Sequence, residues 1–273
     1  MPDNRQGTGL SMINHTFEHG MYIRHVEAAQ PKGIIVYIHG LGGSGYCFEQ
    51  LINRAELHNW DHLVPDLPSY GKSPWTQTPL TLQEYVEHLI IWLRNRRTTK
   101  AIILGHSMGA VIGLMLCEKN LDLVRAFINI EGNVSLDDCT FSSKTLEYTL
   151  QGFIDHGMDT LCDSVYQEGL SNPAMRRYYP SLRMCNPASY HLNGGELVQI
   201  SQTETLATRQ GKLKIPHMYI LGNPRGTGMH SQSLLTSSGV PWIAIDRAGH
   251  WPFIDQIDSF DDELLKFLAR LPT

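Results

Sequence analysis

Lys100-Ala-Ile-Ile-Leu-Gly-His-Ser-Met-Gly109 decides how this chain reads. The apolar run 100–104 predicts a buried strand, and residues 107–119 predict the helix after it. Between them, Gly-x-Ser-x-Gly sets Ser107 at the tip of a sharp strand-to-helix turn. Gly105 and Gly109 fall where a β-carbon would crowd that turn. Ser107 therefore stands at a helix start, where free backbone N–H groups attract an anion. A hydroxyl held there is a candidate nucleophile. The competing reading is a bare turn without chemistry. Partner motifs on both sides of the chain argue against it.

Working outward, the first half alternates strand and helix. Residues 10–17 and 20–27 read as two strands joined at His19-Gly20. Gly33-Ile-Ile-Val-Tyr-Ile-His39 is a continuous apolar run, as in a strand buried on both faces. A short helix is expected around Cys47–Asn53, then a strand His62-Leu-Val-Pro65 ending at Asp66. Thr81-Leu-Gln-Glu84 is a capping box. The helix it opens carries Leu82, Tyr85, Val86, Leu89, Ile90 and Leu93 on one face. Val124–Ile130 is the next strand. Buried strands resume at Pro216–Leu221 and Pro241–Ile245, and a last helix begins at Ser259–Asp262. Strands alternating with helices imply an α/β fold with a mainly parallel sheet, flanked by helices on both faces, to which the leading hairpin adds an antiparallel edge. From 132 to 207 the alternation stops and short amphipathic pieces take over. This segment reads as a helical cap insertion, leaving 1–131 and 208–273 as the core.

Bulk composition narrows the function classes. The 273 residues carry a formal charge of −5 and no basic run longer than Arg94-Asn-Arg-Arg97, so nucleic acid is not an expected partner. The five cysteines are scattered, without CxxC pairs or metal spacing, which suggests reduced thiols and a cytoplasmic protein. The polar start Met1-Pro-Asp-Asn-Arg-Gln-Gly7 lacks the apolar region of a secretory signal. No apolar stretch approaches membrane-spanning length.

Three further motifs supply the remaining chemistry. His39-Gly40-Leu41-Gly42-Gly43-Ser44 ends the third predicted strand. Gly40 and Gly42 let the backbone approach a substrate oxygen, and the N–H groups of Leu41 and Met108 form an oxyanion hole. A plain glycine-rich turn is the alternative there. Ala248-Gly249-His250-Trp251-Pro252-Phe253 places a histidine on a loop after the last strand, so His250 is the candidate general base. Trp251 is a candidate substrate contact beside it. Arg225 and His230 are further candidates to meet an anionic substrate.

The acid that should orient His250 is less direct. The loop Gly222-Asn-Pro-Arg-Gly-Thr-Gly-Met-His230, its usual source, contains no carboxylate. A neutral imidazole needs a partner that fixes its tautomer. Glu131 ends the strand after the nucleophile's own, on the same rim as Ser107. Asp137 and Asp138 are the alternatives.

Taken together, these motifs resemble the α/β-hydrolase fold superfamily. His39-Gly40 resembles its oxyanion motif, Asp66-Leu-Pro-Ser-Tyr-Gly-Lys-Ser73 its Asp-Leu-Pro-Gly-x-Gly-x-Ser segment, Gly105–Gly109 its nucleophile elbow, and Gly249-His250 its base loop. The resemblance implies an eight-stranded, mainly parallel sheet. In acid placement it resembles the haloalkane dehalogenase-like branch, where a Glu after the sixth strand serves. Dehalogenases of that branch use an Asp nucleophile. Ser107 instead implies a serine hydrolase acting on a carboxylic ester or related acyl bond of a small, largely apolar substrate. Such chemistry calls for no metal and no organic cofactor. Thioester, lactone, amide and C–C hydrolysis remain open on the same triad, as does a small-molecule receptor that keeps the pocket. Phe141, Tyr148, Phe153, Tyr166, Tyr178, Tyr179 and the methionines of the insertion are candidates to line the pocket.

Overall fold

The computed structural model describes residues 13–97 and 100–272. The strands are β1 (Ile13–Glu18), β2 (Met21–Val26), β3 (Ile34–Ile38), β4 (Asp61–Asp66), β5 (Ala101–His106), β6 (Val124–Ile130), β7 (His217–Arg225) and β8 (Trp242–Gly249). They form one eight-stranded sheet in the order β1-β2-β4-β3-β5-β6-β7-β8. β2 runs antiparallel to both neighbours, and the pairs from β4 to β8 are parallel. The expected hairpin is present, although residues 10–12 of its first strand lie outside the described residues. Its effect differs slightly from the sequence expectation. β1 regains the direction of the parallel strands, so β2 alone is reversed.

Strand composition explains the layering. β3, β5 and β6 are Ile- and Val-rich and buried along nearly their whole length. A strand covered on both faces needs apolar side chains on both faces. The helix Leu82–Asn95 begins at the predicted capping box: the Glu84 N–H donates to Thr81 Oγ1 (3.2 Å), and the Thr81 N–H to Glu84 Oε2 (2.7 Å). It buries Leu82, Tyr85, Val86, Leu89, Trp92 and Leu93 against the sheet. The helix Met108–Lys119 is apolar on nearly every side and almost wholly buried, so it packs as an interior element beside β3, β5 and β6. The expected helix near Cys47 divides into a 3-10 turn (Gly45–Phe48) and one helical turn (Glu49–Ile52). The last helix starts at Ile257, just before the predicted point.

Between β6 and β7 the described residues form helices and connecting loops. The three longest are Met158–Gly169, Pro173–Met184 and Pro187–Gln202. Two of them start with Asn-Pro. Asn172 and Asn186 cap with their side-chain oxygens, and the proline sits where no N–H is needed. These helices lie on the loops at the carboxyl ends of β3 and β4. Ser181 Oγ meets Ser44 Oγ at 2.8 Å, the Asn186 N–H donates to the Ser69 carbonyl (2.9 Å), and Tyr70 Oη donates to Asn193 Oδ1 (2.6 Å).

Candidate active site

β5 ends in the elbow. Ser107 has φ 53° and ψ −119°, a backbone region that L-residues rarely adopt. Its N–H donates to the Ile130 carbonyl on β6 (2.9 Å), which holds the turn. A β-carbon at Gly105 would collide with the Gly109 carbonyl, and one at Gly109 with the Ile38 carbonyl of β3. Both glycines are thus needed for the helix to start this close to the sheet. Met108 is the first helical residue after Ser107, so its N–H has no intrahelical acceptor.

Ser107 and His250 line one pocket, together with Gly40, Leu41, His106 and Trp251. From the segment between β6 and β7 come Phe141, Tyr178 and Ser181. The free volume is about 20 Å³, roughly the room of one water.

Glu131 closes the constellation. It follows directly on β6 with φ 52° and is 3 % exposed. One carboxylate oxygen, Oε2, lies 3.3 Å from His250 Nδ1. A carboxylate only accepts, so Nδ1–H is the donor and the neutral ring leaves Nε2 unprotonated. The other oxygen, Oε1, accepts the N–H groups of Gly222 (2.6 Å) and Thr227 (3.2 Å). The loop after β7 therefore carries no acid but cradles one. A β-carbon at Gly226 would strike Glu131 Oε1, so that loop is shaped around the carboxylate.

Of the alternative acids, Asp138 is engaged elsewhere. Asp138 Oδ2 accepts from the Val134 and Ser135 N–H groups and from Ser231 Oγ. Asp137 lies in the same 3-10 turn. Neither Arg225 nor His230 lines the Ser107 pocket. Arg225 is exposed at the end of β7, and His230 pairs with Glu204 at 2.8 Å.

Two other histidines hold the framework. His39 Nδ1–H donates to the Gly40 carbonyl (2.9 Å), and its Nε2 accepts the Leu67 N–H (3.0 Å). Gly40 O also accepts the Gly43 N–H (2.9 Å), so the peptide that carries the Leu41 N–H is tied from its carbonyl side. His106 Nε2–H donates to the His250 carbonyl (2.7 Å) and fixes the base loop. Burial pushes both rings below the usual histidine range and keeps them neutral. The Asp66 motif has a parallel role. Its buried carboxylate accepts from Arg24 Nη1 (2.6 Å), Gly45 N (2.7 Å) and Lys72 N (2.8 Å), pinning the loops after β3 and β4 together.

Gly40 and Gly42, paired in the sequence reading, face different ways. A β-carbon on Gly40 would meet the His106 ring and Ser107 Cβ, inside the pocket. Gly42, at φ +66°, points at Tyr178, Leu182 and Tyr190 of the helices Pro173–Met184 and Pro187–Gln202. Sequence reasoning missed Cys47, Ser181 and Gly43 as lining residues. No local motif marks Cys47 or Ser181, which meet only through the docking of the helix Pro173–Met184, whereas Gly43 lies in the glycine-rich motif in which Gly40 and Gly42 were singled out. Phe141 and Tyr178 were legible only as two of many aromatic residues in the insertion.

Sheet order, elbow and the helices between β6 and β7 define the α/β-hydrolase fold. Residues 35–263 match the alpha/beta hydrolase family, and the chain belongs to it. It is similar to the pimeloyl-[acyl-carrier protein] methyl ester esterase of Proteus mirabilis, at 27 % identity over 86 % of this chain and 92 % of that one. The enzyme of the same name from Xanthomonas campestris pv. campestris is 26 % identical over 91 % of this chain and all of its own. Among solved structures, the enol-lactonase from Burkholderia xenovorans LB400 superimposes with a TM-score of 0.75 at 17 % identity, covering 94 % of this chain and 100 % of that one. An N-acyl homoserine lactonase complexed with N-hexanoyl homoserine gives 0.73 at 15 %, covering 96 % and 98 %. At such identities the structures show the shared fold. Among the described residues no helix is long and apolar enough to cross a membrane.

Proposed function

We propose that this chain is a serine hydrolase of carboxylic esters. The carrying observation is the arrangement at one pocket: Ser107 and His250 both line it, and Glu131 holds His250 Nδ1 from behind. Ser107 attacks the ester carbonyl. His250 Nε2 takes its proton and returns it to the leaving alcohol. Glu131 fixes the tautomer and stabilises the imidazolium that forms. The N–H groups of Leu41 and Met108 bind the oxyanion. Water, activated by the same histidine, then releases the acyl group. Esters are favoured over the other acyl bonds because relatives matched along nearly their whole length are named for methyl ester cleavage.

Residues 132–207 act as a cap on a core made of 1–131 and 208–273. Phe141, Tyr178 and Ser181 are its contribution to the pocket. The five cysteines, all buried and unpaired, support a cytoplasmic setting. Turnover of p-nitrophenyl acyl esters, with Ser107→Ala as control, tests the reading. Ester cleavage that vanishes in the variant supports it, and undiminished cleavage refutes it.

A further inference from the structure

We propose that Arg177 binds an anionic group, a carboxylate or phosphate, carried by the ester substrate away from its scissile bond. This rests on the reading of Ser107 as an ester-cleaving nucleophile and names the substrate class for that site.

The helix Pro173–Met184 carries three arginines, and two are already engaged. Arg176 donates from Nε to the Gly169 carbonyl (2.9 Å) and from Nη2 to the Leu170 carbonyl (3.0 Å), closing the preceding helix. Arg183 donates to Asp159 Oδ1 (2.8 Å). Arg177 is different. Among the described residues no carboxylate pairs with it, and its Nε is buried without a hydrogen-bond partner. Its guanidinium carbon lies 5.1 Å from the centroid of the Tyr46 ring. That stacking holds the cation in place but satisfies none of its N–H donors. A buried donor left unpaired costs about 1–3 kcal/mol, so the side chain is arranged for a partner that comes from outside the chain.

Its position says which partner. Ser181 stands one helical turn further on, on the same face, and lines the Ser107 pocket. Residues four apart on a helix have β-carbons about 5–6 Å from each other. Tyr46, under the guanidinium, adjoins Cys47, another lining residue. Arg177 thus flanks the pocket on its cap side. The pocket itself has room for little beyond the reacting group, so the rest of a substrate extends past the rim. An anion at that far end meets the planar fork of Arg177, which suits carboxylate and phosphate.

The test compares p-nitrophenyl hemiesters of C4 to C8 dicarboxylic acids with neutral esters of equal length, and adds a p-nitrophenyl ester bearing a terminal phosphate. With the natural residue, the charged series should be preferred. Arg177→Gln should lower kcat/KM for charged esters about 10- to 100-fold and leave neutral ones within about twofold. Arg177→Lys should retain part of the preference. The carboxylate and phosphate arms show which anion the site takes. Equal loss on charged and neutral esters, or no loss on either, overturns the assignment. Calorimetric binding of the methyl hemiester to Ser107→Ala, with and without Arg177→Gln, gives a readout independent of turnover. Turnover of both charged and neutral esters with no Arg177 effect on either would sink this inference and leave the hydrolase reading standing. Arg177-dependent binding without any turnover would do the reverse.

Discussion

The hydroxyl of Tyr178 donates to the carbonyl oxygen of Leu41 across 2.9 Å. One hydrogen bond thereby joins the helix Pro173–Met184 to the loop that carries the Leu41 N–H. The carbonyl before that N–H, Gly40 O, is held by His39 and Gly43, and the carbonyl after it by Tyr178. With both flanking carbonyls tied, the donor has one direction.

Tyr178→Phe removes that bond and keeps the ring against Phe141 and Trp251. A net loss of about 1 kcal/mol of stability is expected. Turnover should fall further, roughly tenfold, with the change in kcat rather than KM, since the misdirected donor serves only the developing oxyanion. Steady-state kinetics beside a urea denaturation curve separates the two. A change confined to KM would make Tyr178 a substrate contact instead.

Glu131→Gln should keep the fold and lose roughly 10,000-fold in kcat, as wrong-tautomer substitutions do in other triads. Gly226→Ala tests the same geometry from the other side. Its new methyl would displace Glu131 Oε1 from the loop, so activity should drop although no titratable group has changed. Full activity in both variants would remove Glu131 from the mechanism.

Gly42 carries two burdens. A side chain there is strained at φ +66° and is aimed at Tyr178 and Tyr190. Gly42→Val should therefore lower both melting temperature and turnover. Paired thermal melts and rate assays on Gly42→Val and Gly40→Ala decide it: the Gly40 variant, whose methyl faces Ser107 and His106, should lose turnover with the smaller drop in melting temperature.

Acid should destabilise the protein through His62. Its Nδ1 accepts from Tyr37 Oη (2.8 Å) and its Nε2–H donates to the Leu57 carbonyl (3.1 Å). Burial pushes its pKa down to about 4, from an ordinary histidine value of 6.5. The unfolded chain then binds a proton that the folded one refuses, so stability is retained above pH 6.5 and lost as pH falls from there toward 4. The full swing is roughly 3 kcal/mol. Denaturation curves between pH 7 and pH 4.5 should show this slope, and His62→Gln should reduce it, leaving the part that the buried His39 and His106 contribute.

Much of the fold was legible because its signals are local. The apolar runs of β3, β5 and β6, the capping box at Thr81–Glu84 and the glycines at 105 and 109 each act within a few residues. Glu131 was reached by elimination: the loop 222–230 offered no carboxylate, and a strand end beside Ser107 did. What stayed hidden arises from contacts between distant segments. Nothing near Gly222 or Thr227 in sequence announces that their N–H groups hold Glu131. Likewise, Tyr178 could not be told from the other tyrosines of the insertion until its helix was placed on Leu41.

The most direct measurement is covalent labelling by a fluorophosphonate, followed by peptide mass spectrometry. A single adduct on Ser107 is expected, together with loss of both labelling and ester turnover in Ser107→Ala. Labelling of another serine, or an unlabelled Ser107 in a protein that still cleaves esters, would contradict the assignment of Ser107 as nucleophile and with it the mechanism built on His250 and Glu131.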